Sequence, residues 1–210
     1  MKAELRILMC GAVAGAMVAA PARATDDGAV MAGAVSNYGA GVMKGLQEVA
    51  DQQPTKETFR EQMKPFMAAT PGVFGASLID TNFVIRQVYF RRDFLAVGYD
   101  LKKVRELDYF WKLMREAPAP QLSEPGHGSL IQPRLVAMRY PIMVDGQFKG
   151  IVSAMIHTDA FLKAVGLDTC SAFKIICLGK LAEEKGEPAP GYHELTLTLP
   201  STEWVIQFQE

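Results

Sequence analysis

The chain is poor in the residues that build most catalytic and metal centres. Its 210 residues include three cysteines, three histidines and two tryptophans. His127, His157 and His193 lie far apart in sequence, with no cysteine or carboxylate spacing to recruit them, whereas a metal site needs two or three converging ligands. No metal and no cofactor is expected. There is no Gly-x-Ser-x-Gly, no phosphate-cradling glycine loop after a strand, no His-Glu-x-x-His and no Cys-x-x-Cys. No residue set suggests catalysis, so the chain is not expected to be an enzyme. Charge of one sign is also missing: 22 Lys and Arg stand against 23 Asp and Glu, a net charge of −1. That balance gives no support for nucleic acid or an anionic membrane as a partner.

Long apolar runs are confined to the start. Ile7 to Ala20 is apolar, Lys2 and Arg6 precede it, and Ala22-Arg23-Ala24 supplies the small-x-small pattern of a cleavage site. This reads as a secretory signal peptide over residues 1–24, cleaved after Ala24, with a retained anchor as the competing reading. Cys10 does not make it a lipoprotein signal: Met9 precedes it where a small residue is wanted, and most of the apolar run follows it. The expected location is the periplasm or the exterior.

Cys170 and Cys177 would then meet an oxidising compartment. The segment between them reads as a strand, which holds its ends about 23 Å apart at roughly 3.3 Å per residue. A disulfide needs Cα atoms within about 7 Å. Two buried free thiols are favoured over a bridge.

The rest of the chain carries clear periodicities. Met31, Val35, Tyr38, Val42, Leu46 and Val49 form one helical stripe within Gly28–Asp51, although five glycines interrupt it. Thr55 is placed to cap a second helix bearing Phe59, Met63, Phe66 and Met67, with Pro65 inside it. Val73 to Phe90 reads as a hairpin turned at Asp80-Thr81-Asn82, followed by a charged exit at Arg91, Arg92 and Asp93. A helix over Glu106–Ala117 places Leu107, Phe110, Trp111 and Met114 on one face. Gly126-His127-Gly128 reads as a turn before a short strand. Leu135 to Val144 alternates with period two, Asp145-Gly146 is a strong hairpin signal, and Phe148 to His157 is almost wholly apolar. Thr158 or Asp159 can cap the next helix, which Gly166 stops. A strand near Phe173–Cys177, a solvated loop from Glu183 to Pro190 and a last hairpin, Glu194–Leu199 with Trp204–Phe208, complete the chain. Adjacent strands joined by short turns predict an α+β fold: an antiparallel sheet of five to seven strands with helices on its face.

A strand ending Tyr140-Pro141-Ile142, an Asp145-Gly146 turn, a Lys149-Gly150-Ile151-Val152 strand and a short helix resemble the second half of extracytoplasmic PAS-like sensor domains of the Cache (also called PDC) type and the related CHASE domains. The order of elements from Phe59 to Gly166 is similar to the same plan, and Leu197 to Ile206 resembles the closing strands of CHASE domains. The resemblance implies residues 25–54 as an N-terminal helix and 55–210 as one sensor domain. It implies a small-molecule ligand, signal transduction through a membrane receptor or kinase, and a candidate homodimer through the N-terminal helix. A second reading keeps the fold but gives it a protein partner and no ligand.

The resemblance also indicates where a ligand would lie. Arg105, Tyr109, Phe110 and Trp111 resemble the Arg-aromatic segment that precedes the third strand of ligand-binding Cache domains, with looser spacing. Amine-binding relatives place an Asp five residues after the glycine that opens the fifth strand. Counted from Gly150, that position is Met155, so an anionic ligand, for example a carboxylate, or an apolar one fits better than a free amino acid. The candidate ligand-binding residues are Arg105, Tyr109, Trp111, Arg139, Tyr140, Ser153, Met155 and His157. Arg139 stands inside an alternating apolar strand and requires a partner if buried, either a ligand anion or an internal carboxylate. His157 either contacts a ligand or serves the fold at the strand–helix junction.

Overall fold

The computed structural model describes residues 26–89, 96–123, 125, 127–129 and 132–210. The leader and the charged exit Arg91–Asp93 lie outside the described residues. Four helices are described: α1 (Asp26–Asp51), α2 (Phe59–Ala69), α3 (Asp108–Glu116) and α4 (Thr158–Val165). The strands are β1 (Val73–Asp80), β2 (Ile85–Tyr89), β3 (Gln121–Leu122), β4 (His127–Ser129), β5 (Gln132–Val144), β6 (Gln147–His157), β7 (Ala172–Cys177), β8 (Lys180–Lys185), β9 (His193–Leu199) and β10 (Thr202–Gln209). No described helix is long and apolar enough to cross a membrane.

All strand pairs are antiparallel. The first sheet runs β2-β1-β6-β5-β3 with β4 also on β5, and β8-β7-β10-β9 form a second sheet. The fold is therefore α+β with the expected first sheet, but its closing strands build a separate sheet. The hairpin at the centre follows from its turn: Asp145 and Gly146 both adopt positive φ, 50° and 73°, and match the twist of the flanking strands.

The first sheet separates two apolar clusters. One face packs against α1, whose stripe of Met31, Val35, Val42, Leu46 and Val49 is buried. That cluster continues through α2, α4 and the second sheet, where Tyr38 meets Phe161 edge-on and Phe161 meets Trp204 edge-on. The opposite face packs Ile79, Phe83, Ile85, Val88 and Ile151 against Trp111 and Met114 of α3.

Several expectations need correcting. Phe83 is not in β2; it turns back at φ 60° and is fully buried beside Trp111. A register shift at Leu78/Ile79 breaks the simple alternation, so Ile85 and Val88 share a face. Thr55 organises the turn before α2 by accepting from the N–H groups of Glu57 and Thr58, while Thr58 holds the N-terminal position of the helix. His127 belongs to a short strand paired with Leu135, not to a turn. His157, not Thr158 or Asp159, precedes the first turn of α4, without a side-chain cap. Glu183 to Lys185, read as the start of a solvated loop, instead closes an edge strand, Lys180–Lys185, because Leu178 and Gly179 at φ 49° and 75° form a tight hairpin turn. Cys170 and Cys177, by contrast, are as expected: both are buried and neither is in a disulfide.

Candidate functional site

Arg139 sits at the centre of the arrangement. It lies on β5 between Met138 and Tyr140, and strand alternation turns it to the α3 face of the sheet. Only 5% of it is exposed. Its guanidinium lies 4.9 Å from the Trp111 ring centre and 5.3 Å from that of Phe110. Trp111 in turn stacks on Phe83 at 5.1 Å, and the Arg115 guanidinium covers the Phe83 ring at 5.3 Å. The layers alternate guanidinium, indole, phenyl, guanidinium, so each ring presents a π face to a cation. Trp111 is anchored further by its Nε1, which donates to the Leu101 carbonyl at 3.2 Å.

Pairing across the strands extends this into a polar row. Arg139 is opposite Ser153, Ser153 is opposite Ser77, and on the other side Arg139 is opposite Gln121. All four side chains are buried. The Ser77 and Ser153 hydroxyls share a 2.7 Å hydrogen bond, which leaves one hydroxyl proton to direct elsewhere. Gln121 Nε2 donates to the Phe110 carbonyl at 2.7 Å, tying β3 to α3. Polar groups are scarce on strands this apolar, and burying them costs free energy unless they are used.

The adjacent row along the same face is small and apolar: Gly75, Met155 and Ala137. Met155 is half-buried. Beyond it, exposed His157 stacks on Phe74 with ring centres 4.1 Å apart. The face thus grades from buried cation and hydroxyls, through a shallow apolar strip, to an aromatic pair at its open end.

Among the sequence-derived candidates, the structure brings Trp111, Arg139 and Ser153 together, with Met155 and His157 farther along the same face. Arg105 lies exposed on a 3-10 turn ahead of α3 (Arg105–Leu107), and Tyr109 is 45% exposed on the outer side of that helix. Tyr140 faces the other way, packs against the α1-side core and is not part of this arrangement; period-two alternation excludes neighbours Arg139 and Tyr140 from one face. Burial, with the Asp51 carboxylate nearby, raises the Tyr140 pKa. Ser77 and Gln121 were missed. Their signal is a lone polar residue in an apolar strand at β1 and one beside Leu122 at β3, and only the strand register reveals that they align.

The well-defined cavities lie elsewhere. One of about 750 Å³ runs between α1 and α2 past Tyr38, Gly41, Gly45 and Phe66, and one of about 500 Å³ sits at the far end of the sheet near Lys56, Arg86 and Lys149. Neither holds a charge as deeply buried as Arg139: Lys44, Glu48 and Glu61 at the first and Lys56, Arg86 and Lys149 at the second are exposed, and the partly buried Asp80 is paired with Arg86. Among the described residues no group of three or more His, Cys, Asp or Glu could hold a metal ion.

No protein-family model matches the chain, and no curated protein matches it in sequence. Solved structures do match. An extracellular ligand-binding receptor from Desulfohalobium retbaense aligns over 85% of this chain at 14% identity and TM-score 0.63, and the chain spans only 39% of that receptor. The ligand-binding domain of the Pseudomonas aeruginosa amino-acid chemoreceptor PctB, in complex with L-Arg, aligns over 86% of this chain and 90% of its own at 17% identity and TM-score 0.64. The sensory domain of the Campylobacter jejuni chemoreceptor Tlp3, with isoleucine bound, aligns over 87% and 88% at 9% identity and TM-score 0.59. With its long N-terminal helix, four described helices and two antiparallel sheets, the chain has the Cache-type, PAS-like fold of chemoreceptor sensor domains.

Proposed function

We propose that this chain is an extracytoplasmic sensor module that binds a small molecule, anionic or apolar, on the α3 face of its first sheet, and that it passes the bound state to a membrane receptor or kinase. The observation that carries this reading is Arg139: a guanidinium 95% buried in the middle of a sheet face, held between aromatic rings and beside a serine pair. Arg presents five N–H donors in a planar fork, enough to serve a partner within the protein and a carboxylate together. The structural neighbours are named as ligand-binding domains, several with amino acids bound. Here Met155 offers no carboxylate for an ammonium group, which shifts the expected ligand towards acids without one.

A thermal-shift screen of metabolites rich in carboxylates tests this. A ligand at a hundredfold excess over Kd stabilises by about 2.7 kcal/mol. Arg139→Ala should abolish the shift caused by a carboxylate hit, and Arg139→Lys, which keeps the charge but loses the fork, should weaken it. An unchanged affinity in both variants would show that Arg139 serves only the fold.

A further inference from the structure

Gln121 is 1% exposed, and its Oε1 accepts no hydrogen bond. The donation from Nε2 to the Phe110 carbonyl fixes which end of the amide is oxygen. A buried acceptor without a donor destabilises the fold, so a position that keeps one invites an explanation. This acceptor belongs to the residue directly across from Arg139, in the same row as the Ser153–Ser77 hydroxyl pair.

Resting on the sheet face as the ligand site, we propose that the ligand is a 2-hydroxycarboxylate with an apolar side chain. Its carboxylate takes N–H donors of Arg139 and the free hydroxyl proton of the serine pair. Its hydroxyl donates to Gln121 Oε1. Its side chain lies along Gly75, Met155 and Ala137. Three features select this class. A simple carboxylic acid leaves Oε1 without a donor. An amino acid brings a second cation beside the Arg139 guanidinium, with a single neutral acceptor and the Met155 thioether in place of a carboxylate. A larger polar substituent has no partner on the apolar strip. A hydroxyl supplies one donor and no charge, and a site built to bond a hydroxyl rejects the analogue that lacks it.

Isothermal titration of the purified protein with three acids of one carbon skeleton tests the proposal: 2-hydroxy-4-methylpentanoate, 4-methylpentanoate and leucine. The hydroxy acid is expected to bind at least about tenfold more tightly than either of the others. Gln121→Met should erase that advantage, bringing the ratio of the hydroxy acid's affinity to that of 4-methylpentanoate close to one. Equal or tighter binding of 4-methylpentanoate, as expected if water satisfies Oε1, or of leucine, overturns the hydroxy-acid proposal and leaves the sheet-face site standing. Binding of none of the three overturns the hydroxy-acid proposal, while the sheet-face site is decided separately by the carboxylate screen and the Arg139 variants. The comparison among ligands on the unmodified protein stands whether or not the Gln121 variant folds.

Discussion

At the scale of single residues, the serine pair separates a structural role from a ligand role. Ser77 and Ser153 satisfy each other at 2.7 Å in a buried setting. Ser153→Ala leaves the Ser77 hydroxyl without that partner and should cost about 1–3 kcal/mol. The double change Ser77→Ala with Ser153→Ala removes both polar groups, and should cost less than the sum of the two single changes. Chemical denaturation of the three variants checks this, and additive losses would show that the hydroxyls have other essential partners. Asp80 offers a different test. Burial alone would raise its pKa, but the N–H groups of Val84 and Asn82 and the Arg86 guanidinium outweigh that and hold it below the ordinary value. A carboxylate with a lowered folded-state pKa stabilises the fold above its unfolded-state value, near 3.9, and loses that contribution as pH falls through the folded-state value. Asp80→Asn should therefore destabilise at neutral pH and flatten the stability profile below about pH 4. A profile parallel to that of the unmodified protein down to pH 2 would refute the coupling.

At the scale of elements, the α1–α2 crossing is set by one glycine. A Cβ at Gly45 would stand 2.4 Å from Phe66 Cδ2, whereas one at Gly41 would meet nothing within 4 Å. Gly45→Ala must displace the Phe66 ring and should cost about 1–3 kcal/mol. Gly41→Ala, one turn earlier in the same helix, should stabilise by about 0.5–1 kcal/mol through helix propensity. Thermal denaturation of the two variants should move in opposite directions; parallel shifts would mean that the helices are not packed this closely. The elements show where the sequence is legible. The β5–β6 hairpin could be read because Asp145-Gly146 and strict alternation are local signals that agree with each other. The α1 stripe survived its glycines because tertiary burial of Val35, Leu46 and Val49 outweighs helix propensity. β8 could not be read: Lys180–Lys185 is rich in Lys and Glu, is half-exposed at a sheet edge, and is held by pairing to β7 rather than by its own pattern. The site was legible only where one element sufficed. Trp111 and Arg139 each stand out in their own segment, while the row that joins Gln121, Arg139, Ser153 and Ser77 exists only once four strands are in register.

At the scale of the whole molecule, the two faces of the first sheet differ in how firmly they are closed. The α1 side belongs to one continuous core that runs through α2, α4 and the second sheet, so opening it disrupts most of the fold. The α3 side rests on a much smaller cluster centred on Phe83, Trp111 and Met114, and the helix itself spans nine residues. Local stability follows the apolar area that an opening must expose. α3 should therefore open at a lower free energy than the sheet beneath it. The polar row makes this necessary for binding as well: Ser77, Gln121, Arg139 and Ser153 are each 5% exposed or less, so a ligand reaches them only when their cover moves. Native-state hydrogen exchange should show amides of 108–116 exchanging well before those of β5 and β6, and a bound carboxylate should slow α3 by a larger factor than it slows the α1 core. Uniform exchange across α3 and β6, with equal protection by ligand, would mean that the face opens only by global unfolding and would rule out α3 as the moving cover of the site.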